Sequence, residues 1–294
     1  MANGHSKKKE KNINKLSNLI TRALSGAVFV AVITGSILLH PCAYAGVMLL
    51  VVVWAMLEYY DIVIRDRVYA GRLGGVLTGA AIFTASFFYF QDNISGDVFL
   101  FFIPLLIFIF IRQLYSRDQN TFRAIAHTLT GVVYIALPFA LCNGLVFPSG
   151  NDGFLNPENK YVPDILLGFF ILLWTNDTFA YLTGIMFGRH RLFERISPKK
   201  SWEGFIGGLV GTIALSLLVA RMFPILPFYH WMAVAAITVI FGVYGDLIES
   251  LLKRNLKIKD SGRFLPGHGG ILDRFDSVFI AAPMVYFYLK MFVF

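Results

Sequence analysis

The sequence is poor in charged residues and in cysteine. Charged side chains make up 15% of the 294 residues, whereas soluble domains average about 25%. An ordinary water-soluble domain is therefore excluded, since 56% of the residues are hydrophobic and the mean hydropathy is +0.64. The two cysteines, Cys42 and Cys142, lie far apart in the chain, which excludes a disulfide scaffold and argues against a cysteine-ligated zinc site.

Aromatic and basic residues, in contrast, are abundant. The 29 Phe and 13 Tyr exclude a disordered chain, because so many apolar side chains would not stay solvated. Lys and Arg exceed Asp and Glu by 26 to 18, which gives a formal net charge of +8. These features together predict a polytopic membrane protein whose few charges are concentrated at particular places.

Long apolar stretches predict an all-α membrane protein with about nine transmembrane helices, since about 20 apolar residues cross a bilayer. If the N-terminus is cytoplasmic, 23 of the 26 Lys and Arg lie on the cytoplasmic side, as the positive-inside rule requires. The C-terminus is then predicted to lie outside, on the periplasmic side. The nine predicted spans are residues 20–39, 43–64, 73–90, 97–112, 125–147, 163–187, 204–222, 229–252 and 275–293.

The chain is predicted to have three parts. Residues 1–18 form a polar, Lys-rich cytoplasmic tail, which we do not expect to be a cleavable signal peptide. Residues 19–160 form about five N-terminal membrane helices with few ionisable groups. Residues 161–294 form about four C-terminal, catalytic membrane helices with cytoplasmic loops, and they contain nearly all the unusual ionisable groups.

Two motifs in the C-terminal part carry polar residues into or beside the membrane. Asp177 lies in the apolar segment TNDTFAY, where an ionisable group indicates either a functional site or a polar contact between helices. In the segment ISPKKS, Pro198 breaks the helix, and Lys199 and Lys200 then precede Ser201, which can cap the next helix. Two ammonium groups beside a helix N-terminus suit an anion such as phosphate. The alternative, which explains the lysines equally well, is that they only mark the cytoplasmic end of a membrane span next to a well-capped helix.

Residues 245–277 contain carboxylates that alternate with cations. On a helix, Asp246, Glu249, Ser250 and Lys253 share one face, and Asp273 and Asp276 share another at the start of the last span. Acidic side chains from two helices are therefore expected to converge at the membrane boundary, where oxygen ligands of this kind suit Mg²⁺ and substrate phosphates. The alternative is a salt-bridged loop with a glycine-rich turn. The intervening cations are Lys253, Arg254, Lys257, Lys259 and Arg263.

These residues resemble the signature of the phosphatidate cytidylyltransferase family, also called CDP-diacylglycerol synthases. The segment SLLKRNLKIKDSGRFLPGHGGILDRFD, residues 250–276, satisfies every specified position of the family pattern. The segments ND..AY, FG and ISPKKSWEG are also similar to the family's C-terminal half, and EYY at residues 58–60 is similar more weakly. The resemblance covers residues 170–285 firmly.

The resemblance implies a magnesium-dependent enzyme of the bacterial-type inner membrane, with its active site on the cytoplasmic face. Its substrates would be CTP and phosphatidate and its products CDP-diacylglycerol and pyrophosphate. It also suggests a homodimer, one or two divalent cations, and no nucleic-acid partner. Because the phosphatidate nucleophile is already ionised, charge neutralisation should dominate catalysis and no strong base is needed.

Site residues are expected as follows. The metal ligands are predicted to be Asp246, Asp273 and Asp276, which with Lys253 and Arg254 form the catalytic set. The phosphates of CTP and phosphatidate are predicted to contact Lys199, Lys200 and Lys259. Asp177 is predicted to belong to the same substrate-binding region and is a further candidate metal ligand. Three roles stay open, since Ser201 is a helix cap or a nucleotide contact, His268 contacts a phosphate or braces the glycine turn, and Arg274 is structural or binds phosphate.

Other membrane proteins fit the sequence less well. An enzyme that consumes CDP-diacylglycerol would need an Asp-Gly-x-x-Ala-Arg pattern, and a prenyltransferase would need an aspartate where Ala180 stands. A transporter would place its charges near the membrane midplane, often in two related halves. A CTP-dependent polyprenol kinase, which transfers the γ-phosphoryl group, is harder to exclude.

Overall fold

The computed structural model describes residues 23–63, 69–115, 121–148, 161–262 and 269–294. The predicted tail over residues 1–18, and His268, lie outside these residues. Nine helices occur within the described ranges, and they are numbered here in chain order. They are α1 (Ala23–Leu39), α2 (Pro41–Val63), α3 (Tyr69–Phe90), α4 (Phe102–Leu114), α5 (Thr121–Val146), α6 (Asp164–Phe187), α7 (Trp202–Met222), α8 (Phe228–Asn255) and α9 (Leu272–Phe292).

Among the described residues, seven of these helices are long and apolar enough to cross a membrane. The other two, α1 and α4, have 17 and 13 residues, and a 3₁₀ helix over Gly96–Phe101 precedes α4. The prediction of a nearly all-helical chain with several helices long and apolar enough to span a membrane is thus confirmed. The count of nine spans and the orientation of the termini stay predictions.

Helix α5 is interrupted by a π turn over Val132–Ala136. Pro138, two residues after the end of this turn, has no amide hydrogen and is therefore unable to complete the i to i−4 ladder. The amide of Leu137 instead bonds the carbonyl of Val132, five residues earlier. The turn therefore has an identifiable cause in the sequence and widens the helix locally.

The segment between α6 and α7 differs from the prediction, which assigned it to a joining loop. It forms an antiparallel hairpin of β1 (Arg191–Phe193) and β2 (Ser197–Ser201), in which Arg191 faces Ser201 and Phe193 faces Ser197. Pro198 excludes a helix here, and a two-stranded ribbon tolerates its missing N–H because both strands are edges. The fold is therefore nearly all helical, with one short hairpin.

A continuous buried core joins the two predicted parts of the membrane region. It contains Tyr60, Phe139, Phe170 and Phe275, each at most 2% exposed, from α2, α5, α6 and α9. Phe139 and Phe275 pack edge to face with ring centroids 5.2 Å apart. The division at residue 160 consequently stays a prediction about function, since the core extends across it.

Candidate active site

Three carboxylates from two helices converge where α8 approaches its C-terminus and α9 begins. Asp246 and Glu249 come from α8 and Asp276 comes from α9, and each offers an oxygen within 4.8 Å of the others. We call these three residues the acidic cluster. Glu249 is fully buried, and its Oε1 accepts no hydrogen bond within the described part of the chain, whereas its Oε2 forms an ion pair with Lys253. The predicted convergence of acidic side chains from two helices is confirmed.

Two lysines partly balance the cluster. The Nζ atom of Lys253 lies 2.5 Å from Oε2 of Glu249, one helical turn before it. Lys200, at the end of the hairpin, forms an ion pair with Asp246. Ser250 also donates a hydrogen bond to Asp246 at 3.1 Å. The cluster therefore carries more acidic groups than the cations that touch it.

Asp273 stands beside the cluster but is used differently. Its Oδ1 accepts from Nζ of Lys253 at 2.7 Å. Its Oδ2 accepts from the amide and hydroxyl of Ser261, at 2.9 and 2.8 Å, and from the amide of Gly270 at 3.0 Å. This carboxylate thus joins the two ends of the loop between α8 and α9 and orients Lys253.

The predicted ligand set and the observed cluster consequently differ in one member. Asp246 and Asp276 are together, Asp273 binds the loop, and Glu249 occupies the third position. The assignment of Asp273 as a ligand stays a prediction. Glu249 was not singled out as a ligand, although its position three residues after Asp246, on the same helix face, was the signal that could have identified it.

Glu58 from α2 contacts the end of the same loop, where α9 begins. This buried carboxylate accepts a hydrogen bond from the amide of Leu272, the first residue of α9, at 2.9 Å. A methyl group on Gly262 would lie 2.5 Å from Oε1 of Glu58, and one on Gly270 would lie 2.8 Å from the amide nitrogen of Gly262. Glycine at these two positions lets the loop backbone lie directly against the Glu58 carboxylate.

A cavity of about 380 Å³ opens beside Asp246, between α6, α7, α8 and the hairpin. The predicted residues Asp177, Lys199, Lys200 and Ser201 all line it, together with Asn176 and Asp246. Oγ of Ser201 accepts the amide hydrogen of Gly204 at 3.1 Å, which confirms the predicted helix cap. The cavity therefore brings basic side chains of the ISPKKS segment next to one member of the acidic cluster.

Other predicted site residues are not members of the acidic cluster. Arg254 is exposed, and its Nε donates to the carbonyl of Ile196 at 3.4 Å, which connects α8 to the hairpin. Lys259 is exposed. His268 lies outside the described residues, so its predicted role stays a prediction.

The donor set fits a divalent cation. All available ligand atoms are carboxylate oxygens, which Mg²⁺ prefers over nitrogen or sulfur. Three carboxylates, one of them buried and two part-buried, face two lysines and leave uncompensated negative charge, which is costly unless a further cation is bound. Oε1 of the buried Glu249, which accepts no hydrogen bond within the described part of the chain, is the strongest observation in favour of such a cation.

Comparison with known proteins places the chain in a family. A model described as the cytidylyltransferase family matches residues 20–292. A phosphatidate cytidylyltransferase of Bacillus subtilis is 32% identical over 228 residues, which cover 76% of this chain and 79% of the relative. Proteins of the same name from Staphylococcus epidermidis and Staphylococcus aureus are 38% and 37% identical, over 58% of this chain and 61% of each relative. The chain belongs to the cytidylyltransferase family.

Proposed function

We propose that the protein is a phosphatidate cytidylyltransferase, which converts CTP and phosphatidate into CDP-diacylglycerol and pyrophosphate. A phosphate oxygen of phosphatidate attacks the α-phosphorus of CTP. The bond from that phosphorus to the oxygen bridging it to the β-phosphorus breaks, and pyrophosphate leaves with the electron pair. The observation that supports this most is the acidic cluster next to a lysine-lined cavity, in a chain whose relatives carry this activity in their names.

We propose that the acidic cluster holds Mg²⁺, as one or two ions, with Asp246, Glu249 and Asp276 as ligands. When bound, such an ion would neutralise phosphate oxygens and stabilise the leaving pyrophosphate. Asp273 then acts mainly by holding Lys253 and the loop in place. Substitutions can distinguish the two roles. Loss of a residue that supports the loop should destabilise the protein, whereas loss of a metal ligand should not destabilise the metal-free protein.

The basic residues have distinct proposed tasks. Lys199 and Lys200 line the cavity and bind the phosphates of CTP, which enter next to Asp246. Lys253 bridges Glu249 and Asp273 and keeps positive charge between the two acidic groups. Substrate anions are bound in this scheme by preorganised charges, and no covalent enzyme intermediate is required. Asp177, on the cavity wall, orients Lys200 or a nucleotide group.

We also propose that the site faces the cytoplasm, that the protein resides in the plasma membrane of a bacterial-type cell, and that it forms a homodimer. The cytoplasmic assignment rests on the distribution of Lys and Arg in the sequence. The substrates agree with it, since CTP arrives from water and phosphatidate arrives from the bilayer.

The products of the reaction test the proposal. Purified protein in mixed micelles with CTP, phosphatidate and Mg²⁺ should release one pyrophosphate for each CTP consumed, and only when phosphatidate is present. A polyprenol kinase would release CDP instead. Release of CDP without pyrophosphate would therefore reject the proposed reaction and favour the kinase.

A further inference from the structure

Tyr134 stands at the centre of the π turn in α5, in the N-terminal half of the chain. Such turns occur often at functional sites, because they redirect a side chain out of the regular helical pattern. Pro138, four residues later, also leaves the Tyr134 carbonyl without its usual helical donor. The helix is thus locally remodelled at one tyrosine.

The ring of Tyr134 packs on α9 close to the acidic cluster. Its centroid lies 5.0 Å from that of Phe279, which is one turn after Asp276. Side chains on a helix lean toward its N-terminus, and the N-terminal part of α5 lies at the site end of the protein. The evidence for that location is the hydrogen bond of 2.8 Å from the Tyr60 hydroxyl, near the end of α2, to the carbonyl of Thr128.

The hydroxyl of Tyr134 is buried and lacks a hydrogen-bond partner among the described residues. A buried donor left unpaired is costly, so such groups generally have a partner that is not part of the chain. The ring packs on Phe279, one helical turn after Asp276, so this unpaired hydroxyl belongs to a side chain beside the part of α9 that carries a member of the acidic cluster. The carboxylates of the cluster accept hydrogen bonds, and a hydroxyl supplies a donor.

We propose that the Tyr134 hydroxyl donates a hydrogen bond to an oxygen ligand of the divalent cation held by the acidic cluster. That oxygen belongs to water before substrate binds and to a phosphate group afterwards. The inference rests on the proposed metal site. All the metal and phosphate ligands proposed above come from the C-terminal part of the chain. Tyr134 adds to the site a residue from the first five helices.

The variant Tyr134→Phe tests this directly, because it keeps the ring and removes only the hydroxyl. Full-length protein in detergent is titrated with Mn²⁺ without substrate, and free Mn²⁺ is measured by electron paramagnetic resonance. We expect the Kd for Mn²⁺ to rise by about 10-fold, the lower end of the range for groups that orient metal ligands. The KM for CTP should rise as well. Tyr286→Phe, toward the opposite end of α9, is the matched control and should bind Mn²⁺ like the wild type.

Three results would overturn the inference. The first is Mn²⁺ affinity and KM in Tyr134→Phe equal to the wild type. The second is a lower melting temperature of metal-free Tyr134→Phe, since the hydroxyl would then have a partner within the protein. The third is wild-type protein that binds no Mn²⁺, or binds it equally well after Asp276→Asn. That result removes the metal site itself, whereas the first two leave the proposed function intact.

Discussion

At the scale of single residues, two aspartates three positions apart on α9 have different environments. Asp273 receives hydrogen bonds from Ser261, Gly270 and Lys253, and its side chain is 7% exposed. A carboxylate oxygen of Asp276 lies within 4.8 Å of carboxylate oxygens of Asp246 and Glu249. The sequence alone predicts that both matter, because both belong to the same motif. It does not distinguish them, since the donors to Asp273 come from a loop whose path depends on the folded structure.

We predict opposite effects on stability from Asp273→Asn and Asp276→Asn. Loss of the Asp273 charge leaves the part-buried Lys253 with Glu249 as its one carboxylate partner among the described residues and weakens the bonds of two backbone donors, which should destabilise the protein by about 3 kcal/mol. Loss of the Asp276 charge relieves repulsion among three carboxylates, so the melting temperature of metal-free protein should stay equal or rise. Both variants should lose at least about 100-fold in turnover, through a displaced loop and a lost metal ligand respectively.

Melting curves and pyrophosphate release on the same preparations measure both effects. The control is Asp97→Asn, an exposed aspartate in the 3₁₀ helix before α4, which should resemble the wild type in both assays. A stable but inactive Asp273→Asn that also loses Mn²⁺ binding would restore Asp273 as a metal ligand and contradict the role assigned here.

At the scale of elements, the loop between α8 and α9 is held by contacts from far along the chain. Glu58 precedes Leu272, whose amide it binds, by 214 residues. A carboxylate at a helix N-terminus is favourable, because it accepts an unpaired amide and faces the positive end of the helix dipole. In the sequence, the EYY segment at residues 58–60 was noted only for its weak similarity to the family. Its contact with the loop was not predictable, since no local pattern pairs α2 with α9.

Glu58 is not placed in contact with a substrate, but Glu58→Ala should still lower both the stability and the activity of the protein. We expect a loss of about 2 kcal/mol in the free energy of unfolding, because the Leu272 amide becomes a buried, unpaired donor. We also expect at least about 10-fold lower kcat, because the loop and the first turn of α9, which carries Asp273, lose their support. Glu58→Gln retains an acceptor oxygen and should recover most of the stability and part of the activity.

Chemical denaturation and steady-state kinetics of the two Glu58 variants provide the comparison. Wild-type kcat in a folded Glu58→Ala protein would show that the loop does not depend on α2. If kcat in Glu58→Gln is as low as in Glu58→Ala, the negative charge of Glu58 is required rather than an acceptor oxygen.

At the scale of the whole molecule, hydropathy predicts the architecture well and local irregularities poorly. Apolar stretches of about 20 residues find most of the helices, because a bilayer forces backbone hydrogen bonds to close within each segment. The hairpin over Arg191–Ser201 and the π turn in α5 were not predicted, since each depends on how a proline is accommodated by its neighbours. The convergence of acidic side chains from α8 and α9 was predicted from their helical spacing on each helix, whereas the presence of Glu249 in the cluster in place of Asp273 was not.

The orientation of the molecule predicts the reactivity of Cys42. This exposed cysteine lies at the start of α2, at the opposite end of that helix from Glu58. In intact cells, a membrane-impermeant maleimide should label Cys42 from outside, while buried Cys142 serves as the unreactive internal control. Labelling of Cys42 only after the membrane is opened would reverse the proposed topology and place the site outside the cytoplasm.

The central claim is that the protein transfers the cytidylyl group of CTP to a lipid phosphate. The most direct test supplies phosphatidate with CTP labelled either in the cytidine or in the γ-phosphate, and then follows each label into the extracted lipid. We predict that the cytidine label enters the lipid and the γ-phosphate label leaves as pyrophosphate, and that Asp246→Asn abolishes both. Lipid that carries only the γ-phosphate label would contradict the account and identify a CTP-dependent lipid kinase.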